Sequence, residues 1–336
     1  MTDSGAVVVG AGLMGTWHAH ALRAAGLSVL AIVDSQPDRG AALARRHRAL
    51  ATTHLAEALE RRPFAVHVCT PADSHVEIAR ASAAAGAHCL IEKPFAPDAD
   101  AARRILGVAS EHHVLACPVH QFLFQRGVRR AQKQMESLRL LHLDFVACSA
   151  GAAIGGDSLG KRARLALDIL PHPLSLMRRL TGVSLDSARW QVMTSAAGEV
   201  RVGAVIGDVT VGILISASGR PTRNTARLVG ANGTLHVDLF HGFATLESSH
   251  VSRARKITQP FTASAATMAS AAANLARRAI RGEPAYPGLR ELVSAFHAAA
   301  RAGAESPIPA DETIDVAEAS ERLAVLIAAD PSGSRA

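Results

Sequence analysis

The stretch that decides the fold is a short apolar run followed by three spaced glycines, Ala6-Val7-Val8-Val9-Gly10-Ala11-Gly12-Leu13-Met14-Gly15. In a strand-turn-helix unit Gly10 permits the tight turn, Gly12 lets a pyrophosphate approach the backbone, and Gly15 lets the helix pack against the sheet. Leu13 and Met14 complete the turn at a helix N-terminus whose free N–H groups suit an anion. The stretch therefore predicts a dinucleotide-binding βαβ unit.

A carboxylate follows the second predicted strand at the distance that a dinucleotide site requires. The apolar run from Ser28 to Val33 ends at Asp34, nineteen residues after Gly15, close to the ~20 expected for the acid that hydrogen-bonds the adenosine ribose. A carboxylate repels a 2′-phosphate, so Asp34 favours NAD over NADP. Arg39 opens the next predicted helix and leaves NADP as the alternative.

The rest of the chain falls into two patterns. Helical and strand-like segments alternate up to about residue 118, which predicts an α/β Rossmann fold with a doubly wound parallel sheet and ligands at the carboxyl ends of its strands. Later apolar runs are joined by short turns such as Gly207-Asp208, which predicts a C-terminal α+β domain with a mostly antiparallel open sheet. We expect a Rossmann domain over residues 1–118, a substrate-binding and oligomerisation domain over 119–330, and a disordered tail over 331–336.

Composition narrows the class of protein. The chain has 336 residues and a net charge of +7, but only 4% of its residues are aromatic, so the stacking platforms of nucleic-acid binders are scarce. No stretch reaches the ~18 uninterrupted apolar residues of a membrane span, and the first residues lack the regions of a signal peptide. We expect a cytoplasmic protein that binds a small molecule and neither nucleic acid nor membrane.

Cysteines and histidines give no metal-binding pattern. The four cysteines are scattered through apolar runs and predict reduced core thiols. The pairs His18/His20 and His112/His113 lack the spacing of metal ligands. We therefore expect no metal.

Three motifs occur in an order that resembles the Gfo/Idh/MocA family of glucose-fructose oxidoreductases, inositol dehydrogenases and relatives. They are the glycine turn with His18, Cys69-Thr70-Pro71-Ala72-Asp73-Ser74-His75, and Ile91-Glu92-Lys93-Pro94-Phe95. Asp168 and His172 match the family's D-x-x-x-H pair, and the resemblance spans nearly the whole chain. It implies an NAD-dependent dehydrogenase or reductase acting on a CH–OH group of a small molecule.

The resemblance also implies roles for individual residues. Lys93 would hold a positive charge beside the reacting oxygen, His172 would exchange the proton, and Asp168 would orient His172 or contact the substrate. Glu92 and His75 would help to place the nicotinamide ribose, and Thr70 and Pro71 would line its path. By the same analogy the Lys93-Pro94 peptide would be cis.

Each catalytic residue also has a structural interpretation. Lys93 could be a surface lysine at a turn, and His172 could be a packed histidine. Asp168 could cap a helix start, because Pro171 and Pro173 oppose a regular helix at that point.

The chain departs from the family pattern where the substrate would bind. Ser175 stands where many sugar-active relatives have an aspartate, and Phe122-Leu123-Phe124 lies in a segment that is often polar. Positive charge precedes Asp168, at Lys161, Arg162 and Arg164. These differences predict a substrate that is apolar or anionic, possibly sugar-derived, in preference to a free neutral sugar.

The sequence also allows two other functions and predicts self-association. The chain could be a redox-neutral enzyme, epimerase or glycosidase-like, that uses tightly bound NAD transiently, or a non-catalytic dinucleotide sensor. Retention of Lys93, Asp168 and His172 argues against the sensor. The open sheet of the second domain has a face that needs covering, which predicts a homo-oligomer, a dimer or tetramer.

Overall fold

The computed structural model describes residues 5–148, 166–195, 199–249 and 252–330. The chain divides into two compact units, Met1–Gln121 with Leu289–Ala317, and Phe122–Gly288 with Glu318–Ala336. The first division lies near the expected boundary at residue 118, but a later segment returns to the first unit instead of staying in a contiguous second domain. The expected tail at 331–336 lies outside the described residues.

The first unit contains a six-stranded parallel sheet with strand order β3-β2-β1-β4-β5-β6, as the alternating pattern predicted. Its elements are β1 (Ala6–Val9), α1 (Leu13–Ala24), β2 (Val29–Val33), α2 (Pro37–His47), β3 (Leu50–Thr52), α3 (Leu55–Leu59), β4 (Ala65–Val68), α4 (His75–Ala84), β5 (His88–Ile91), α5 (Ala99–Glu111) and β6 (Ala116–Pro118). The chain order reverses between β1 and β4, and ligands of doubly wound sheets bind at such switch points.

The second unit contains a seven-stranded sheet with strand order β13-β12-β11-β7-β10-β9-β8. Its elements are α6 (Arg126–Leu138), β7 (Leu140–Cys148), α7 (Pro171–Thr181), β8 (Gln191–Thr194), β9 (Val200–Ile206), β10 (Val209–Ser216), β11 (Arg223–Gly230), β12 (Gly233–Asp238), β13 (Phe243–Ser248) and α8 (Arg253–Arg281). The described pairings are antiparallel except that of β10 with β7. The expected mostly antiparallel sheet is therefore confirmed.

Two further helices follow in the chain. Helix α9 (Leu289–Ala302) belongs to the first unit, where it packs on α1. Helix α10 (Ala310–Ala329) crosses the division at residue 317. The alternating part of the Rossmann unit is thus completed by a helix that is remote in sequence.

The core of the first unit forms because its strands are apolar on both faces. Every residue of β1 and β4 is buried, including His67, and the helices around a parallel sheet cover both of its faces. A histidine inside such a strand must find hydrogen-bond partners within the protein, since water does not reach it.

Two helix starts have a distinctive local structure. Ser74 is the N-cap residue of α4, but its hydroxyl contacts Thr70 Oγ1 and donates to the Pro71 carbonyl, and it accepts no hydrogen bond from the helix. Before α6, which starts at Arg126, Gln121–Phe124 forms a 3₁₀ turn.

The sheet of the second unit has one apolar and one polar face. Leu143, Phe145 and Ile213 are buried on one side, whereas Asp144 pairs with Arg227 across the neighbouring strand at 2.8 Å on the other. A shallow groove follows this polar face, and none of the predicted site residues lines it.

Within the described ranges, every helix is too short or too polar to cross a membrane. No group of three or more histidine, cysteine or acidic residues in the same ranges could hold a metal ion. Among the described residues, the four cysteines form no disulfide bond.

Candidate active site

The three motif glycines have different structural reasons. Gly10 adopts a φ of +97°, and a Cβ there would lie 2.5 Å from the carbonyl oxygen of Cys69. A Cβ at Gly15 would overlap the carbonyl oxygen of Gly10. We expected this glycine to allow packing of the helix on the sheet, but the close approach of the turn is the main reason for it. A Cβ at Gly12 would meet no protein atom within 4 Å. The protein therefore leaves open space at Gly12, where a pyrophosphate would need it.

The start of α1 suits an anion. Its N-cap is Gly12, no side chain caps it, and its first turn carries no acidic residue. Leu13 is exposed and Met14 is half-buried in this turn. The free N–H groups and the positive end of the helix dipole are therefore available to a phosphate.

Asp34 lies at the end of β2, and its side chain is buried. Its carboxylate accepts the N–H groups of Ala11 at 2.6 Å and Gln36 at 2.8 Å, and it pairs with Arg39. Burial tends to raise the pKa of Asp34, but the hydrogen bonds from Arg39 and the two backbone N–H groups outweigh burial and lower it. The carboxylate is thus an ionised acceptor at neutral pH.

The loop after β5 carries Lys93. The preceding residue, Glu92, is buried, and its Oε2 accepts the Lys93 N–H at 3.1 Å. Its Oε1 lies 3.0 Å from Nε2 of His18 on α1. The Lys93-Pro94 peptide is cis, as expected, and Lys93 is half-buried at the carboxyl end of the strand.

The loop after β4 is joined to the loop after β5 through His75. Its ring is fully buried, with Nε2 2.8 Å from the carbonyl oxygen of Thr70 and Nδ1 3.1 Å from that of Phe95. Thr70 is half-buried and Pro71 is exposed. Because both ring nitrogens face backbone carbonyls, His75 shapes these loops directly.

Two buried histidines that the sequence reasoning missed extend from His18. Nδ1 of His18 lies 2.9 Å from Nδ1 of His67 on β4, and Nε2 of His67 lies 3.1 Å from Nε2 of His297 on α9. All three rings are fully buried. A histidine in the middle of an apolar strand was the available signal for His67, but nothing in the sequence pointed to His297.

Burial lowers the pKa values of these new residues. Burial first, and then the neighbouring His18 and His297, hold the pKa of His67 well below its ordinary value. Burial, aided by Arg301 and His88, lowers the pKa of His297 to about 4. Both rings are therefore neutral at physiological pH.

The second unit places Asp168 and His172 on nearly continuous helical backbone. Residues 166–169 are helical, α7 begins at Pro171, and Leu170 between them has φ −51° and ψ −38°. Side chains four residues apart on such a backbone share a face. The N-cap of α7 is Leu170, so the alternative in which Asp168 caps this helix is wrong.

The apolar segment before α6 meets His172. The Phe122 ring stacks on the His172 ring, with centroids 4.5 Å apart, and Ser175 donates to the His172 carbonyl. Phe122, Leu123 and Phe124 are all buried, so they build the interior of this unit. The three cationic residues that favoured an anionic substrate lie outside the described residues; they are Lys161, Arg162 and Arg164.

Comparisons with known proteins agree with this geometry. A model of the Gfo/Idh/MocA oxidoreductase family, described as an NAD-binding Rossmann fold, matches residues 5–120. UDP-N-acetylglucosamine 3-dehydrogenase of Acidithiobacillus ferrooxidans is 30% identical over 232 residues, which are 66% of this chain and 68% of that protein.

Solved structures share the whole fold. The structure of the same Acidithiobacillus ferrooxidans enzyme covers 96% of both chains with a TM-score of 0.72 and 20% identity. Levoglucosan dehydrogenase in complex with NADH and levoglucosan has a TM-score of 0.74 at 18% identity, over 96% of this chain and 97% of that one. Both sheets thus occur together in known dehydrogenases.

Proposed function

Because the chain belongs to the Gfo/Idh/MocA family of NAD-binding oxidoreductases, we propose that it is an NAD-dependent dehydrogenase or reductase acting on a CH–OH or carbonyl carbon of a small sugar-derived molecule. The observation that carries this proposal is the first unit's arrangement of an open turn at Gly12, an ionised Asp34 and a lysine at the end of β5. Each lies at the carboxyl edge of the parallel sheet, where such folds bind ligands.

The residues of the first unit fit NAD. Gly10 and Gly15 shape the turn, and Gly12, Leu13 and Met14 present the helix N-terminus to the pyrophosphate. Asp34 would accept the adenosine ribose hydroxyls, which favours NAD over NADP. When bound, NAD supplies a hydride acceptor at its nicotinamide ring.

Lys93 and His172 carry the proposed chemistry on the side of the substrate. The Lys93 ammonium would stabilise negative charge on the reacting oxygen, because a preorganised cation acts where charge develops. His172 would exchange the hydroxyl proton near neutral pH, and Asp168 would orient it or contact substrate. Thr70, Pro71 and Glu92 would border the nicotinamide, while buried His75 would hold their loops.

We propose an anionic sugar derivative as the substrate. The chain carries a net charge of +7, and its 30%-identical relative is named for UDP-N-acetylglucosamine, a negatively charged sugar nucleotide. The buried state of Phe122, Leu123 and Phe124 removes the main support for an apolar substrate. Long-range attraction would favour the anion over a neutral sugar.

We also propose self-association through the polar face of the second unit's sheet and a place of action in the cytoplasm. The groove on this face combines Asp144, Arg227, His236 and Glu247 with exposed Leu214, a mixture that suits contact with a second copy. A reducing compartment would keep the four cysteines, which form no disulfide among the described residues, in their thiol form. Light scattering on the purified chain would give the mass in solution, and a monomer at micromolar concentration would contradict the first proposal.

A substrate panel tests the function. The purified chain would be incubated with NAD and, separately, UDP-N-acetylglucosamine, levoglucosan and L-tartrate, and NADH would be followed by absorbance, with Lys93→Met as the inactive control. We expect NADH release with the sugar nucleotide or another anionic sugar. Conversion of a substrate without net NADH would favour the redox-neutral alternative, and NAD binding without conversion of any candidate would favour the sensor.

A further inference from the structure

Four buried groups of the first unit form one continuous line of hydrogen bonds. The line runs from Glu92 to His18 at 3.0 Å, to His67 at 2.9 Å and to His297 at 3.1 Å. It starts beside Lys93 and ends at His297 on α9, a helix that begins nearly two hundred residues later. The proposed reaction uses neither His67 nor His297.

The chemistry of the groups decides the direction of these bonds. The Glu92 carboxylate already accepts the Lys93 N–H, and a carboxylate can only accept, so His18 must donate through Nε2. In one direction of the line, Nδ1 of His18 then accepts a hydrogen bond that His67 donates through its own Nδ1. His67 in turn accepts at Nε2 and requires an Nε2–H donor on His297.

The opposite direction is less favourable at the far end of the line. Nδ1 of His297 is buried and has no hydrogen-bond partner among the described residues. If His297 donates through Nε2, its Nδ1 is an acceptor without a donor. If His297 instead accepts at Nε2, its Nδ1 is a buried N–H without an acceptor. Orphaned N–H groups are the rarer and costlier case.

The surroundings keep the line in this single state. The groups that face it are Glu92 at one end and, at the other, Arg301 on α9 and His88 on β5. Burial, with His18 and His297 beside the ring, opposes protonation of His67. Burial also opposes protonation of His297, with Arg301 and His88 beside that ring. A neutral imidazole has one N–H and one acceptor nitrogen, so a ring that donates on one side of the line must accept on the other.

We propose that His67 and His297 are positioning residues that lock His18 in its Nε2–H tautomer and so hold the Glu92 carboxylate against the backbone of Lys93. This inference rests on the proposed function, because it matters for turnover only if Lys93 acts on substrate. Without the His67 donor, His18 can take the other tautomer. Its Nε2 lone pair would then face the carboxylate of Glu92 and push it away from the Lys93 N–H.

Amide side chains provide a matched test. The Asn amide nitrogen stands near the Nδ1 position of histidine and the Gln amide nitrogen near Nε2, so His67→Asn and His297→Gln can keep the required donors. His67→Gln and His297→Asn exchange the amides and misplace these donors at nearly the same size and polarity. If His67 and His297 only filled space in the core, Asn and Gln would not have opposite effects at the two positions.

The first readout does not depend on activity. In protein labelled with ¹⁵N-histidine, long-range ¹H–¹⁵N spectra report which ring nitrogen carries the proton, and His18 is assigned by loss of its signals in His18→Gln. We expect Nε2–H on His18 in the wild type, in His67→Asn and in His297→Gln. A mixture of tautomers is expected in His67→Gln and His297→Asn.

The second readout is turnover at saturating NAD. We expect the two misplaced-donor variants to lose roughly tenfold in kcat. This is the lower end of the loss known from metal enzymes, when a histidine ligand loses the hydrogen-bond partner of its other ring nitrogen. The two matched variants should stay within about twofold of wild type. An Nδ1–H tautomer of His18 in the wild type, or one tautomer pattern and one kcat in all four variants, would overturn the inference. If no substrate is turned over, the proposed function fails while the tautomer spectra still decide this one.

Discussion

Arg39 binds both carboxylate oxygens of Asp34, with Nε 3.0 Å from Oδ2 and Nη2 2.8 Å from Oδ1. The Arg39 guanidinium, which could have bound a 2′-phosphate, is therefore paired with Asp34, whose carboxylate repels such a phosphate. Since Asp34 also accepts two backbone N–H groups, its orientation is set before any ligand arrives.

We expect Asp34→Ala to weaken NAD binding about 10- to 100-fold, because hydrogen bonds to a charged group contribute about 1.5–3 kcal/mol. The variant should also narrow the preference over NADP, since it releases Arg39. Calorimetric titration with both dinucleotides would measure this, with the exposed Asp38→Ala as control. Equal affinity of the wild type for NAD and NADP would contradict the assignment.

Gly12→Ala separates cofactor binding from folding. Its new Cβ meets no protein atom, so the melting temperature without ligand should stay close to that of the wild type, while NAD binding should fall at least tenfold. Gly107→Ala is the matched control, because its Cβ is also unobstructed but lies within α5; it should stabilise the fold by about 0.5–1 kcal/mol and bind NAD normally. Full NAD affinity in Gly12→Ala would place the pyrophosphate elsewhere.

Lys93→Met should remove turnover while leaving NAD binding nearly intact. The glycine turn and Asp34 hold the dinucleotide, and loss of a preorganised charge at the reacting oxygen costs on the order of 10²- to 10³-fold in rate. Steady-state rates and NAD titration would be compared with those of the exposed Lys133→Met. Wild-type turnover in Lys93→Met would show that the reacting oxygen lies elsewhere.

His172→Gln should slow turnover by about 10²- to 10⁴-fold, the usual cost of losing a general acid or base. The variant also loses the stacking on Phe122, so its thermal melt must be recorded alongside its rate. Phe122→Leu is the control that removes the stacking and keeps the imidazole. If both variants lost the same activity, packing and not proton exchange would explain the effect.

The buried histidines predict how stability depends on pH. The pKa of His297 is about 4 in the folded chain, against an ordinary value of 6.5, so between these values the unfolded chain binds more protons. The free energy of unfolding should therefore fall as the pH falls from about 6.5 to 4, with up to about 3 kcal/mol from this residue.

Urea unfolding at several pH values would measure the slope. His297→Gln should flatten it, whereas the exposed His112→Gln should leave it unchanged. Parallel curves for the wild type and His297→Gln would contradict the prediction. His67, whose pKa is also lowered well below the ordinary value, should contribute in the same direction.

The local sequence by itself determined the Rossmann sheet, the glycine turn and the position of Asp34. These features depend on contacts within one βαβ unit, where the spacing of glycines, apolar runs and the acid follows directly from backbone geometry. The same holds for the change to an antiparallel sheet, because short turns between apolar runs leave few other pairings.

Only the tertiary structure decided that residues 289–317 complete the first unit and that His18, His67 and His297 meet inside it. No pattern around His297 distinguishes it from any other histidine on an amphipathic helix, since its partner lies 230 residues away. Likewise, Phe122 to Phe124 could be interpreted as a pocket wall until their burial was known. Composition and spacing specify which groups a segment contains, whereas long-range packing decides which of them lose water and must satisfy one another.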